Sequence, residues 1–134
     1  MNRVVLVIED NQDNLRLISY ALKRAGYTVA SAVSGEQGIE LALRERPCFI
    51  IMDIMLPGID GIETTKRIRA SELGDLIPIV AMTSYAMRGD REAILAAGCS
   101  GYIEKPIDPL QVVAQIQALI EKGDDETAPK GIPP

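Results

Sequence analysis

Ile50-Ile51-Met52-Asp53-Ile54-Met55-Leu56-Pro57-Gly58 decides how the chain is read. A run of apolar residues ends in one carboxylate, and Pro57-Gly58 turns the chain at once. A short continuous apolar run of this kind reads as a strand buried on both faces, the habit of parallel sheets. In open α/β sheets the chemistry gathers beyond the carboxyl ends of the strands, and Asp53 stands at such an end. Taken alone, it could equally cap the helix that follows. The choice depends on whether other polar groups reach the same rim.

Upstream, Val4 to Ile8 reads as a buried strand ending at Glu9-Asp10-Asn11. Leu15, Ile18, Leu22 and Ala25 then recur at helical spacing, and Gly26 is a natural stop. Tyr27 to Ala32 is a second strand, and Thr28 and Ser31 suit an exposed edge. Ser34 opens a capping box with Gln37, Ile39, Ala42 and Leu43 face inward, and Pro47 closes that helix. The central strand covers roughly Phe49 to Met52.

Downstream, Gly61 to Arg69 reads as a third helix with Ile62, Thr65 and Ile68 inward. Pro78 to Met82 is the fourth strand, ending at Thr83-Ser84. Met87 to Ala97 is a weaker helix whose thin apolar stripe, clearest at Ile94 and Ala97, predicts the loosest packing of the set. Gly101 to Ile103 is a short fifth strand ending at Glu104-Lys105-Pro106. Asp108 caps a last helix with Pro109 at its first position, Gln111 completing the box, and Leu110, Val113, Ile116 and Ile120 inward. From Gly123 the composition turns polar, so residues 1–122 form the domain and 123–134 a disordered tail or linker. Strand and helix alternate five times, which predicts an α/β fold: a parallel sheet with helices on both faces, joined by right-handed crossovers.

Composition narrows the chemistry. The 134 residues make one domain of ordinary size, 47% apolar and 25% charged. The net charge of −5 argues against nucleic acid or an anionic membrane as a direct partner. Histidine is absent, which removes imidazole ligands and a His base. Cys48 and Cys99 fit neither a metal pair nor a disulfide framework; they read as packing residues of a reducing compartment. The apolar run after Met1-Asn2-Arg3 is too short for a signal core or a span, so a cytoplasmic protein is expected.

Four of the five strands end in a residue able to do chemistry: Glu9 and Asp10, then Asp53, Thr83 and Lys105. Carboxylates held close together repel one another, and burial raises their pKa values unless a cation joins them. Oxygen ligands without Cys or His select a hard ion, and few ligands leave room for water, so Mg²⁺ fits better than Ca²⁺ or Zn²⁺. A carboxylate beside Mg²⁺ is a plausible nucleophile toward phosphorus. The Lys105 ammonium would offset charge on the phosphoryl oxygens, and the Thr83 hydroxyl can donate to one of them.

These residues carry a family resemblance. Val7-Ile8-Glu9-Asp10-Asn11, Met52-Asp53-Ile54-Met55-Leu56-Pro57-Gly58-Ile59-Asp60-Gly61, Ala81-Met82-Thr83-Ser84 and Tyr102-Ile103-Glu104-Lys105-Pro106 closely resemble the receiver domain of two-component response regulators, over about Val4 to Lys122. The resemblance implies a flavodoxin-like sheet of strand order 2-1-3-4-5. It implies that Asp53 accepts phosphate from a sensor histidine kinase or phosphotransfer protein. Asp10, Asp53 and the Met55 carbonyl would bind Mg²⁺ (Mn²⁺ being the alternative), with Glu9 acting mostly through water. Thr83 and Lys105 would contact the phosphoryl group, and the Lys105-Pro106 bond would be cis. Thr83 and Tyr102 would form a switch pair acting on the face of helix 4, strand 5 and helix 5, where an unknown downstream protein would dock. Met55 and Tyr85 stand where the family tunes phosphoryl lifetime, and both are bulky here, which predicts slow hydrolysis. Thr83-Ser84-Tyr85-Ala86-Met87-Arg88-Gly89-Asp90 looks most like chemotaxis and cell-division single-domain regulators and hybrid-kinase receivers.

Two other classes compete. A phosphatase of the haloacid-dehalogenase type also uses an Asp nucleophile with Mg²⁺, but wants Asp-x-Asp, and position 55 is Met55. A flavodoxin-like FMN binder needs a Ser/Thr/Gly-rich phosphate loop after the first strand, where Glu9-Asp10 would repel a dianion. A receiver cut from a larger regulator or hybrid kinase is the alternative within the resemblance.

Overall fold

The computed structural model describes residues 3–84 and 88–127. Five strands, β1 (Val4–Ile8), β2 (Thr28–Ala32), β3 (Phe49–Asp53), β4 (Ile79–Thr83) and β5 (Gly101–Glu104), alternate with five helices. These are α1 (Gln12–Arg24), α2 (Gly35–Glu45), α3 (Gly61–Ala70), α4 (Arg88–Ala97) and α5 (Val112–Thr127). All strand pairs are parallel, in the order β2-β1-β3-β4-β5. The fold is the α/β sandwich that the alternation predicts, in the flavodoxin-like strand order that the resemblance implies. No helix among the described residues is long and apolar enough to cross a membrane.

The two-residue period of each strand divides the core. Leu6, Ile8, Ile50, Met52, Ile79 and Ala81 meet Ala42, Ile68 and Ile94 on the side of α2, α3 and α4. Val5, Val7, Phe49, Ile51, Val80 and Met82 meet Ile18, Leu22, Val112 and Ile116 on the side of α1 and α5. β3 and β4 are buried along their whole length because both faces are covered, whereas edge strand β2 is largely open. That is why β3 reads as unbroken apolar sequence and β2 does not.

Most of the expected elements sit where the pattern put them. Ser34 caps α2, its Oγ accepting from the Gln37 N–H at 3.2 Å, and Gln37 Oε1 accepts from the Val33 N–H at 2.9 Å. In α4, Ile94 and Ala97 are the buried positions. Three expectations need correction. Pro109 to Gln111 form a turn rather than the first turn of α5, with Asp108 Oδ1 accepting from the Leu110 N–H. Leu110 is therefore 87% exposed, and Val112 takes the inward place. Ala25 is likewise exposed, because α1 ends one residue earlier and Ala25 is its C-cap. Third, α5 continues through Gly123 to Thr127, so the helix does not stop at the composition change. Extending an established helix costs little per residue, about 1 kcal/mol for an interior glycine, whereas starting one is costly. Residues 128–134, the rest of the expected tail, lie outside the described residues, as do Tyr85 and Met87.

Candidate functional site

The sheet register brings the strand ends together. β1 lies between β2 and β3, so the chain leaves β1 in one direction and returns on its other side. A crevice opens at the carboxyl ends beside such a reversal. Ile8 pairs with Met52, Asp53 with Met82, and Thr83 with Glu104. One step beyond, Glu9 stands level with Asp53, and Lys105 follows just past Thr83. Backbone bonds fix these ends. The Ile54 N–H donates to the Met82 carbonyl at 3.1 Å, and the Lys105 N–H to the Thr83 carbonyl at 2.8 Å.

Asp53 is not the cap of α3. That role belongs to Asp60, whose Oδ1 accepts from the Glu63 N–H at 2.8 Å immediately before Gly61. Asp53 is instead 4% exposed at the end of β3. Its Oδ1 accepts from the Met55 N–H at 3.2 Å and meets Lys105 Nζ at 3.2 Å. The same ammonium lies 3.1 Å from Glu9 Oε1. Gly61 lets the start of α3 press onto this strand end: a Cβ there would stand 2.5 Å from the Asp53 carbonyl oxygen.

Glu9, Asp10 and Asp53 each bring a carboxylate oxygen within 4.8 Å of the others. Glu9 is fully buried while its neighbour Asp10 is exposed. Burial first, then the hydrogen bond and charge of Asp53, push the Glu9 carboxyl up to about 7; Lys105 pulls it down without cancelling them. Burial is the largest cause, and the nearby Asp53 carboxylate adds to it. The donor set is all oxygen and partly open to water, which fits a hard divalent cation and not a soft one.

The remaining expected residues fall at different distances from this centre. Thr83 is buried at the end of β4. Met55 has its side chain 68% exposed at the rim. The Lys105–Pro106 peptide is cis. Tyr102 is not in the acidic pocket: it is half-buried and packs on the side of α2, α3 and α4. It is the register partner of Ala81, so the strand period sets it on the same face as Thr83. One contact escaped sequence reasoning. The Arg91 guanidinium carbon lies 5.7 Å from the centroid of the Tyr102 ring. Nothing in the helical pattern of α4 marks Arg91 as other than a solvated charge.

Comparison with known proteins agrees with this geometry. A family model for the response regulator receiver domain matches residues 5–117. The polar-differentiation response regulator DivK of Brucella ovis is 36% identical over 120 residues, covering 90% of this chain and 98% of its own. The receiver domain of a sensor histidine kinase from Pseudomonas aeruginosa is 37% identical. It superposes with a TM-score of 0.81 over 90% of this chain and 99% of its own, and was solved with a magnesium ion coordinated in its active-site cleft. The chemotaxis protein CheY4 of Vibrio cholerae, 26% identical, gives a TM-score of 0.84 over 89% of this chain and 99% of its own.

Proposed function

The chain belongs to the response regulator receiver family, and on that premise we propose that Asp53 is its phosphoacceptor. It is a two-component receiver domain, a regulator rather than a conventional enzyme, and such a domain works with a cognate histidine kinase. The observation that carries the proposal is the placing of one buried carboxylate, Asp53, against the Lys105 ammonium at 3.2 Å within a cluster of acids. The donor is the phosphohistidine of a sensor kinase or phosphotransfer protein. An Asp53 oxygen bonds to phosphorus as the donor's P–N bond breaks, and the electron pair leaves on the imidazole nitrogen.

Each residue has a task in that step. Lys105 stays near the acceptor oxygen and offsets charge on the incoming phosphoryl group. The Thr83 hydroxyl donates to a phosphoryl oxygen once the group is attached. Asp10, Asp53 and the Met55 carbonyl would hold Mg²⁺, with Mn²⁺ as the alternative and Glu9 acting through water. When bound, the ion neutralises charge where acceptor and phosphoryl oxygens meet. Met55 at the rim, together with Tyr85, would slow the approach of hydrolytic water. Thr83 and Tyr102 act as a switch pair, biasing two packings of the face made by α4, β5 and α5, where a downstream protein docks. A groove of about 510 Å³ between Tyr102, Ile103, Glu104, Gln115, Ala118 and Leu119 supports that docking role. We place the protein in the cytoplasm, where its kinase would act.

A second reading within the family is a receiver from a hybrid kinase, favoured by the likeness to the Pseudomonas kinase receiver. The test of the main reading is incubation with Mg²⁺ and acetyl phosphate. Intact mass should rise by one phosphoryl group, stable to acid and labile to base, and Asp53→Asn should abolish it. No adduct on the wild type, or an equal yield on Asp53→Asn, would sink the proposal.

A further inference from the structure

α4 is held unevenly. Its C-terminal end is anchored: Ile94 is fully buried, and Arg69 puts two N–H groups on the Gly98 carbonyl at 3.0 and 2.9 Å. The same guanidinium donates to the Gly74 and Ile77 carbonyls at 3.0 and 2.7 Å. The N-terminal half, by contrast, turns Gly89, Asp90, Arg91 and Glu92 to solvent. There Arg91 reaches β5. Its guanidinium covers the Tyr102 ring at 5.7 Å, and its Nη2 lies 3.8 Å from Glu104 Oε1. Tyr102 and Glu104 are two residues apart on one strand face, so one side chain engages both. Thr83, the register partner of Glu104, ends the strand that leads into α4.

We infer that Arg91 is a positioning residue, a latch that holds the Tyr102 ring in its half-exposed place and ties the N-terminal half of α4 to β5. Its strength sets how readily the ring follows Thr83 when Asp53 carries a phosphoryl group. The inference rests on the proposed acceptor role of Asp53 and switch role of Thr83 and Tyr102. Both contacts lie at the surface, so each is weak, and together they bias the ring by a small factor. Linkage then works in both directions: if phosphorylation favours the moved ring, freeing the ring favours phosphorylation by the same factor.

The test labels the chain with 3-fluorotyrosine. Four tyrosine signals result, and Tyr102→Phe identifies the relevant one by its loss. With Mg²⁺ and no phosphodonor, Arg91→Ala should shift the Tyr102 ¹⁹F signal part of the way toward its position under acetyl phosphate. The expected change in population ratio is about 3- to 10-fold. The fraction phosphorylated at limiting acetyl phosphate should rise with it. Arg91→Lys keeps a cation over the ring and should stay near wild type. Leu95→Ala, exposed on the same helix, should also match wild type. The latch is overturned if Arg91→Ala leaves the Tyr102 signal unmoved while the wild type is phosphorylated normally, or if Leu95→Ala moves it as far. A wild type that takes no phosphoryl group overturns the acceptor role itself.

Discussion

Lys105→Met removes the cation around which the acidic pocket is organised. The ammonium stands 3.1 Å from Glu9 and 3.2 Å from Asp53, with a side chain only 15% exposed. Methionine keeps the length of the stem and loses the charge. The consequence for phosphoryl uptake can be sized in two ways. A unit charge about 5 Å from a phosphoryl oxygen, at an effective dielectric of about 20, is worth roughly 3 kcal/mol. Deleting one preorganised electrostatic donor elsewhere costs about 2.7–4 kcal/mol, or ~10²–10³ in rate. The two agree, so the uptake rate should fall on the order of 10²–10³-fold. The assay follows the phosphorylated fraction by intact mass against time, with acetyl phosphate and saturating Mg²⁺. Circular dichroism establishes the fold and calorimetry the Mg²⁺ affinity of the variant. A folded, metal-binding Lys105→Met that is phosphorylated within about threefold of the wild-type rate would refute the role given to Lys105.

Two further predictions concern stability. Folded Glu9 keeps its proton up to about pH 7, while the unfolded chain releases it near 4.5. Between those values the folded state binds more protons, so stability falls as pH rises and the loss is complete above about 7. In metal-free buffer the melting temperature of wild type relative to Glu9→Gln should therefore drop from pH 5 to pH 7.5, and a flat difference would contradict the buried, protonated Glu9. Arg69→Met leaves the Gly74, Ile77 and Gly98 carbonyls without their guanidinium donor. Allowing for water entering in its place, the cost should be about 2–4 kcal/mol, read as a lower urea midpoint, and under 1 kcal/mol would mean the clamp is ornamental.

Much of this protein was legible from local pattern, for a reason visible in particular strands. β3 and β4 have both faces covered, so their burial appears as unbroken apolar sequence ending at Asp53 and Thr83. Helix termini were less legible. Gly26 and Gly98 take positive φ and end their helices, whereas Gly123 stays within α5. A glycine permits a stop without imposing one, and the neighbouring turns decide. The start of α5 failed similarly: Asp108 caps a turn at Pro109 to Gln111, and Leu110 faces water.

By itself the sequence determined the alternation of elements, the two-sided burial of the central strands, and which residue types end each strand. It left Asp53 able to cap α3, and it did not tell the buried acid of the Glu9-Asp10 pair from the exposed one. Only the tertiary structure decided these. Asp60 directly precedes Gly61 and meets the first free N–H groups of the helix, which frees Asp53 for Lys105. Just past the end of β1, Glu9 is fully buried and Asp10 exposed, yet both bring a carboxylate oxygen close to Asp53. The charge balance of the pocket, and the reach of Arg91 across to Tyr102, arise between residues far apart in the chain. No local pattern carries them, because they exist only once the sheet order brings those strand ends side by side.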